Sequence, residues 1–222
     1  MTRSSAEYEI REAVVQRLRD EFPSGRIIHE LNCEQGRNRI DVACVTPSLI
    51  ISVEIKSEKD TLKRLADQVR SFQSCSHFVI VAAHEIFFEE FTYNNGLPGF
   101  RPNTELFKGS EQSQLWLYPR PDEVLKNRYQ WRALDIRRAA LIDTRALMRL
   151  MWADELRMTV RNAGIQITGI ARASKDHLTK VLWSQLTGAE ITAATCRYLR
   201  AREFAEADPR IGLEPAPDLL VS

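Results

Sequence analysis

With 222 residues, 44% of them apolar and 27% charged, the chain has room for one large domain or a medium domain with an appendage, and the make-up of an ordinary globular protein. A formal net charge of +1 excludes wholesale binding of polyanions, so any nucleic-acid surface must be a local patch. No run of about 18 apolar residues offers a membrane span, and the first residues carry no hydrophobic signal core, so a cytoplasmic protein with no membrane partner is expected.

Residues 6–21 read as a helix on which Glu7, Ile10, Val14 and Leu18 share one face. Arg11 lies on the same stripe, where a charged group requires a partner such as Glu7 or a substrate phosphate. Arg26–Leu31 is a short strand, and residues 39–56 form an antiparallel hairpin turning around Pro47. Paired so that Val45 opposes Ile50, the hairpin has one apolar face made of Cys44/Ile51, Val42/Val53 and Ile40/Ile55. The other face sets Ala43 against Ser52, Asp41 against Glu54 and Arg39 against Lys56. Opposed residues sit roughly 4.5–5.5 Å apart at Cβ, where like charges destabilise a sheet. Two carboxylates aimed at one point beside a lysine therefore call for a bound cation, as in a metal-dependent hydrolase. The near-continuous apolar run of Leu49–Val53 places these charges on a buried strand, where they need a partner or a metal.

Asp60 or Thr61 is positioned to cap a helix running to about Ser74 with the stripe Leu62, Leu65, Val69 and Phe72, and Gln68 lies on its inward side. The segment 77–83 is a second buried strand. The order helix, three strands, helix, strand predicts an α/β fold: a mixed central sheet flanked by helices, followed by a helical C-terminal part. From about 85 to 132 the chain reads as loops, with an edge strand at 114–118 ended by Pro119. Beyond 135 the composition becomes helical, with Asn162-Ala-Gly164 as a stop, Ser174 as a cap, and Thr187 or Gly188 opening a last helix. The expected organisation is an α/β core over 6–132, a helical region over 135–205 and a flexible tail over 207–222. The four cysteines lack any C-x-x-C spacing, which argues against a zinc site and a disulfide framework.

These residues resemble the core of the P-D-(D/E)-x-K, or restriction-endonuclease-like, nuclease superfamily. The nearest flavour is its small bacterial and phage members, akin to virus-type replication-repair nucleases and Holliday-junction resolvases. The likeness rests on Arg39-Ile40-Asp41, Glu54-Ile-Lys-Ser57 and Asp60-Thr-Leu-Lys-Arg-Leu65 with Gln68, and covers roughly residues 6–84. The leading Pro-Asp dipeptide of the superfamily is Ile40-Asp41 here. The resemblance implies DNA phosphodiester hydrolysis with Mg²⁺ or Mn²⁺, in an endonuclease of repair, recombination or defence. Asp41, Glu54 and the carbonyl of Ile55 would be metal ligands. Lys56 would orient the attacking water or stabilise charge in the transition state, with Gln68 and Glu7 as further site residues. The bland readings are a satisfied structural amide for Gln68 and a helix-terminal charge for Glu7.

Arg39, at the mouth of the hairpin, and Arg197, Arg200 and Arg202, in the last helix, are candidate phosphate contacts. The helical region could instead bind a protein partner or form a homodimer. The rival function is a non-catalytic DNA-binding or assembly protein that keeps the nuclease fold.

Overall fold

A computed structural model describes residues 5–33, 37–94, 96, 98–119 and 131–212. Helix α1 spans Ser5–Glu21, and strands β1 (Arg26–Cys33), β2 (Asn38–Val45) and β3 (Ile50–Lys56) follow. Helix α2 (Leu65–Gln73) leads to β4 (Phe78–His84), a small hairpin of β5 (Phe88–Thr92) and β6 (Pro98–Pro102), and β7 (Gln114–Tyr118). Helices α3 (Thr144–Met148), α4 (Ala153–Asn162), α5 (Lys175–Gln185) and α6 (Gly188–Ala201) follow. The fold is mixed α/β. Five strands form one sheet in the order β1-β2-β3-β4-β7, antiparallel through β3 and parallel from β3 to β7.

The apolar runs of β3 and β4 place them at the centre of this sheet, covered on both faces. On one face Ile10, Val14 and Leu18 of α1 pack on Val42, Cys44, Ile51, Val53 and Ile55. Trp131 stacks on Trp116 there, with ring centroids 4.8 Å apart, and donates its indole N–H to the Leu117 carbonyl at 2.9 Å. On the other face Leu65, Val69 and Phe72 of α2 cover Ala43, Val45, Ile50 and Val81. The same apolar cluster runs on without a break into Leu147, Leu156, Leu178, Leu182 and Leu199 of the C-terminal helices. The helical region is thus built onto the sheet and has no separate core.

Several expectations need correction. Asp60 and Thr61 do not cap α2, whose N-cap position is Arg64. The Asp60 carboxylate instead accepts from the Ser57 N–H at 2.7 Å and its hydroxyl at 2.6 Å, closing a turn before the helix. Pairing of β2 with β3 stops at Val42 and Val53, so the expected Ile40/Ile55 and Arg39/Lys56 pairs do not form. The β5–β6 hairpin lies in the stretch read as loops. The tail is anchored where it was expected to be loose: Ala207 bridges to Ile28, and Asp208 accepts from Ile27 N at 3.0 Å. Residues 213–222 of that tail lie outside the described residues.

Ser174 and Thr187 do cap α5 and α6, each accepting a main-chain N–H three residues on. Among the described residues no helix is long and apolar enough to cross a membrane.

Candidate active site

The site begins with an interruption in the sheet. Along β1 and β2, Ile28, Ala43 and Val45 face α2 while Ile27, Val42 and Cys44 face α1, as alternation requires. Beyond Glu30 and Asp41 the alternation inverts, and Leu31, Cys33 and Ile40 lie on the α2 side. The switch sits at Glu30, a non-glycine residue in the left-handed region with φ +56°. That conformation costs an L-residue roughly 1–2 kcal/mol, and such strain is a frequent mark of functional segments.

Opposite Glu30, Asp41 is left out of the ladder on both sides, since neither β1 nor β3 pairs with it directly. Its polar groups find other partners. The Asp41 main-chain carbonyl accepts from Arg11 Nη1 at 2.5 Å, and its carboxylate accepts the Ile55 N–H at 2.8 Å. The strands part here, and the Asp41 side chain turns into the gap beside β3.

On β3, Glu54 and Lys56 point toward α2. Lys56 Nζ donates to Glu54 Oε1 at 2.7 Å and to Gln68 Oε1 at 3.1 Å, and Gln68 Nε2 donates to the same Glu54 oxygen at 2.5 Å. Gln68 thus ties glutamate and lysine together. Glu54 Oε1 takes two donors, whereas Glu54 Oε2 is buried with no hydrogen-bond partner. An ammonium has three protons, so Lys56 keeps one for a further acceptor.

Electrostatics agree with a site short of positive charge. Burial, and then the nearby Asp41 carboxylate, push the Glu54 carboxyl up to about 8 against the pull of Lys56 and Gln68. Burial raises Asp41 to about 6 despite the Ile55 N–H, Arg11 and Lys56. The Asp41 carboxylate, bonded to the main-chain N–H of Ile55 next to Glu54, is the charge that opposes ionisation of Glu54. Asp41 comes beside β3 through an interrupted ladder and not as the regular cross-strand partner that the hairpin reading expected.

A divalent cation fits this donor set. The orphaned Glu54 oxygen and the raised carboxyls are what a hard cation would relieve, and a sparse set of protein oxygens leaves positions for water and phosphate. Among the described residues no group of three or more His, Cys, Asp or Glu is placed to hold a metal. Two carboxylates and a main-chain carbonyl would have to serve.

Glu7 stands one step removed, accepting from Arg11 Nη2 at 2.8 Å. Arg11 is 1% exposed and also reaches Glu30 Oε1 at 3.4 Å and His29 Nδ1 at 3.3 Å. The sequence showed that Arg11 needed a partner; nothing in it showed that the partner would be the backbone of Asp41. Glu30 and His29 were missed altogether, since only the third dimension brings them beside Arg11. Arg39 is exposed, with its Nε 3.5 Å from Glu30 Oε2.

The arginines of the last helix fare differently. Arg202 is buried, ion-paired through its fork with Glu155, bonded to the Leu150 carbonyl at 2.9 Å and laid over the Trp152 ring at 4.4 Å. It is a packing anchor with no face left for a phosphate, which corrects its assignment as a DNA contact. Arg200 is half-buried and donates to the Ser24 carbonyl at 3.3 Å, and Arg197 lies over Tyr198 at 5.1 Å.

No curated protein and no solved structure matches the chain. Residues 1–94, which include every residue of the site just described, are similar to the family described as bacteriophage P4 protein cII.

Proposed function

We propose that the chain is a metal-dependent DNA nuclease of the P-D-(D/E)-x-K type. The observation that carries this reading is the Asp41–Glu54–Lys56–Gln68 cluster, with a buried, unpartnered carboxylate oxygen on Glu54 at the point where β2 and β3 part. Asp41 and Glu54 would hold Mg²⁺ or Mn²⁺, with the carbonyl of Ile55 as a further ligand. When bound, the ion supplies Lewis-acid polarisation of a phosphoryl oxygen.

Lys56 does the remaining work at the scissile phosphate. Glu54 and Gln68 hold its ammonium in place, and its uncommitted proton is aimed at the attacking water or at charge developing on the phosphate. Glu54 and Gln68 orient Lys56 as much as they bind. Arg11 fixes the Asp41 backbone and with it the aim of the carboxylate.

The test is calorimetric titration with Mn²⁺ alongside cleavage assays on plasmid, single-stranded and branched DNA. Asp41→Asn is expected to abolish metal binding and cleavage together. Lys56→Ala is expected to keep metal binding and to slow cleavage roughly 10²–10³-fold, the usual cost of one group that acts on transition-state charge. Cleavage by Lys56→Ala at the wild-type rate would overturn the assignment. Metal and DNA binding without cleavage under either ion would favour a non-catalytic DNA-binding protein that keeps the fold.

A further inference from the structure

We propose that Arg64, with Lys59 and Lys63 of the same connection, forms the phosphate-binding edge of this site and takes the DNA backbone phosphates that flank the scissile one. The proposal rests on the nuclease reading for the choice of polyanion. Its geometry stands independently.

Residues 57–64 link Lys56 at the end of β3 to the helix that carries Gln68. The link is ordered by its own bonds: Ser57 to Asp60 as described, Asp60 N to the Ser57 carbonyl at 3.1 Å, and Leu65 N to the Leu62 carbonyl at 2.9 Å. Leu62 is buried beneath it as an anchor. The backbone that carries these cations is therefore ordered before a ligand arrives.

Arg64 lies one helical turn before Gln68, and its carbonyl receives the Gln68 N–H at 3.0 Å. Its guanidinium crosses to β2, where Nη2 donates to Asn38 Oδ1 at 3.4 Å, three residues before Asp41. Arg64 thus spans from the wall that bears Gln68 to the wall that bears Asp41. A neutral amide holds its direction and leaves its charge uncompensated.

Charge balance distinguishes this edge from other parts of the surface. Several exposed arginines elsewhere have carboxylate partners: Arg70 pairs with Asp67, Arg101 with Glu89, and Arg137 with Asp135. Lys59, Lys63 and Arg64 are exposed and, among the described residues, have no ion pair. Both acids in the link, Glu58 and Asp60, are exposed, and the Asp60 carboxylate is engaged by the Ser57 N–H and hydroxyl, so the three cations outnumber the two acids. An arginine fork with most of its N–H groups uncommitted is the group best matched to a phosphate diester.

The experiment measures binding of fluorescently labelled duplex DNA to the full-length chain in EDTA across a salt series, so that neither metal nor cleavage enters. Removing one cation from a duplex phosphate should lower the slope of log K against log salt by about 0.9. Arg64→Ala should therefore weaken binding and flatten the slope by about 0.9, and the triple variant with Lys59→Ala and Lys63→Ala by roughly two to three times that amount. Arg64→Lys should keep part of the slope while losing affinity. Arg137→Ala, at an exposed and ion-paired position, should change neither. All the substituted side chains are exposed, so an unchanged melting temperature is expected and verifies folding.

Unchanged affinity and slope in folded Arg64→Ala and in the triple variant would overturn the proposal, as would the absence of DNA binding by the wild type. The two readings fail separately. Weakened binding in these variants with no wild-type cleavage under Mg²⁺ or Mn²⁺ would keep the phosphate edge and remove the nuclease. Wild-type cleavage with unaltered binding in the variants would do the reverse.

Discussion

Glu54 is a buried acid whose charge the protein alone leaves undercompensated, and this has a measurable consequence. Its folded carboxyl lies near 8, against an ordinary value of 4.5, because burial and Asp41 oppose ionisation. A carboxyl with a raised folded value holds its proton more tightly when folded. It therefore favours the fold at low pH, and that stability is lost as pH rises through the window from about 4.5 to about 8. In EDTA the melting temperature is expected to fall across this window. Glu54→Gln should flatten the fall and raise the melting temperature at pH 8, and Mn²⁺ should stabilise the wild type more at pH 8 than at pH 5. A flat wild-type profile, measured by scanning fluorimetry, would show that Glu54 is compensated by protein groups alone. The shared face of Glu54 and Lys56 was legible in the sequence because alternation along one strand is a local rule, whereas Asp41 comes beside them through a break in the ladder that parity does not encode. The orphaned Glu54 oxygen was not legible either, since it depends on how α2 brings Gln68 to the other oxygen.

At the scale of elements, α6 shows how a basic stretch is turned inward. Ile191, Cys196 and Leu199 bury one face of the helix, and its C-terminal carbonyls are taken by Arg26, which is 2% exposed and donates to Leu199, Arg200 and Arg202 at 3.0, 3.0 and 2.6 Å. Arg202 then locks the end of α6 to the start of α4 through Glu155, which also accepts the Trp152 N–H at 2.6 Å. With side chains 6% and 11% exposed, neither partner of this pair tolerates loss of the other. Arg202→Ala is expected to cost about 3–5 kcal/mol in urea denaturation, because Glu155 would remain buried without its cation. A cost below about 1 kcal/mol would mark the pair as no stronger than an exposed one. The caps at Ser174 and Thr187 could be read from sequence because a cap involves only its next three residues. The β5–β6 hairpin could not, as β6 begins at Pro98 and ends at Pro102 and β5 carries Glu89 and Glu90 in place of an alternating apolar pattern.

At the scale of the molecule, the apolar cluster on the α2 face passes from the sheet into the C-terminal helices, and Arg26 and Asp208 stitch β1 to the segment that follows α6. A division into an α/β core and an independent helical unit would give two unfolding steps. The shared core predicts one cooperative transition, with calorimetric and van't Hoff enthalpies in a ratio of about 1. Two resolved transitions would show that the helical part folds on its own.

The sequence by itself determined the central strands, the shared face of Glu54 and Lys56 on β3, and the caps of α5 and α6, because each depends on residues close along the chain. Only the tertiary structure decided that the ladder breaks at Asp41, that Arg11 seizes its carbonyl and that Arg202 faces inward. It also carried the Arg64 guanidinium across to Asn38 on β2. These outcomes join residues 11 with 41, 38 with 64, and 155 with 202. No local period encodes such pairings; they follow from which charged groups must find partners once the apolar faces have closed on one another.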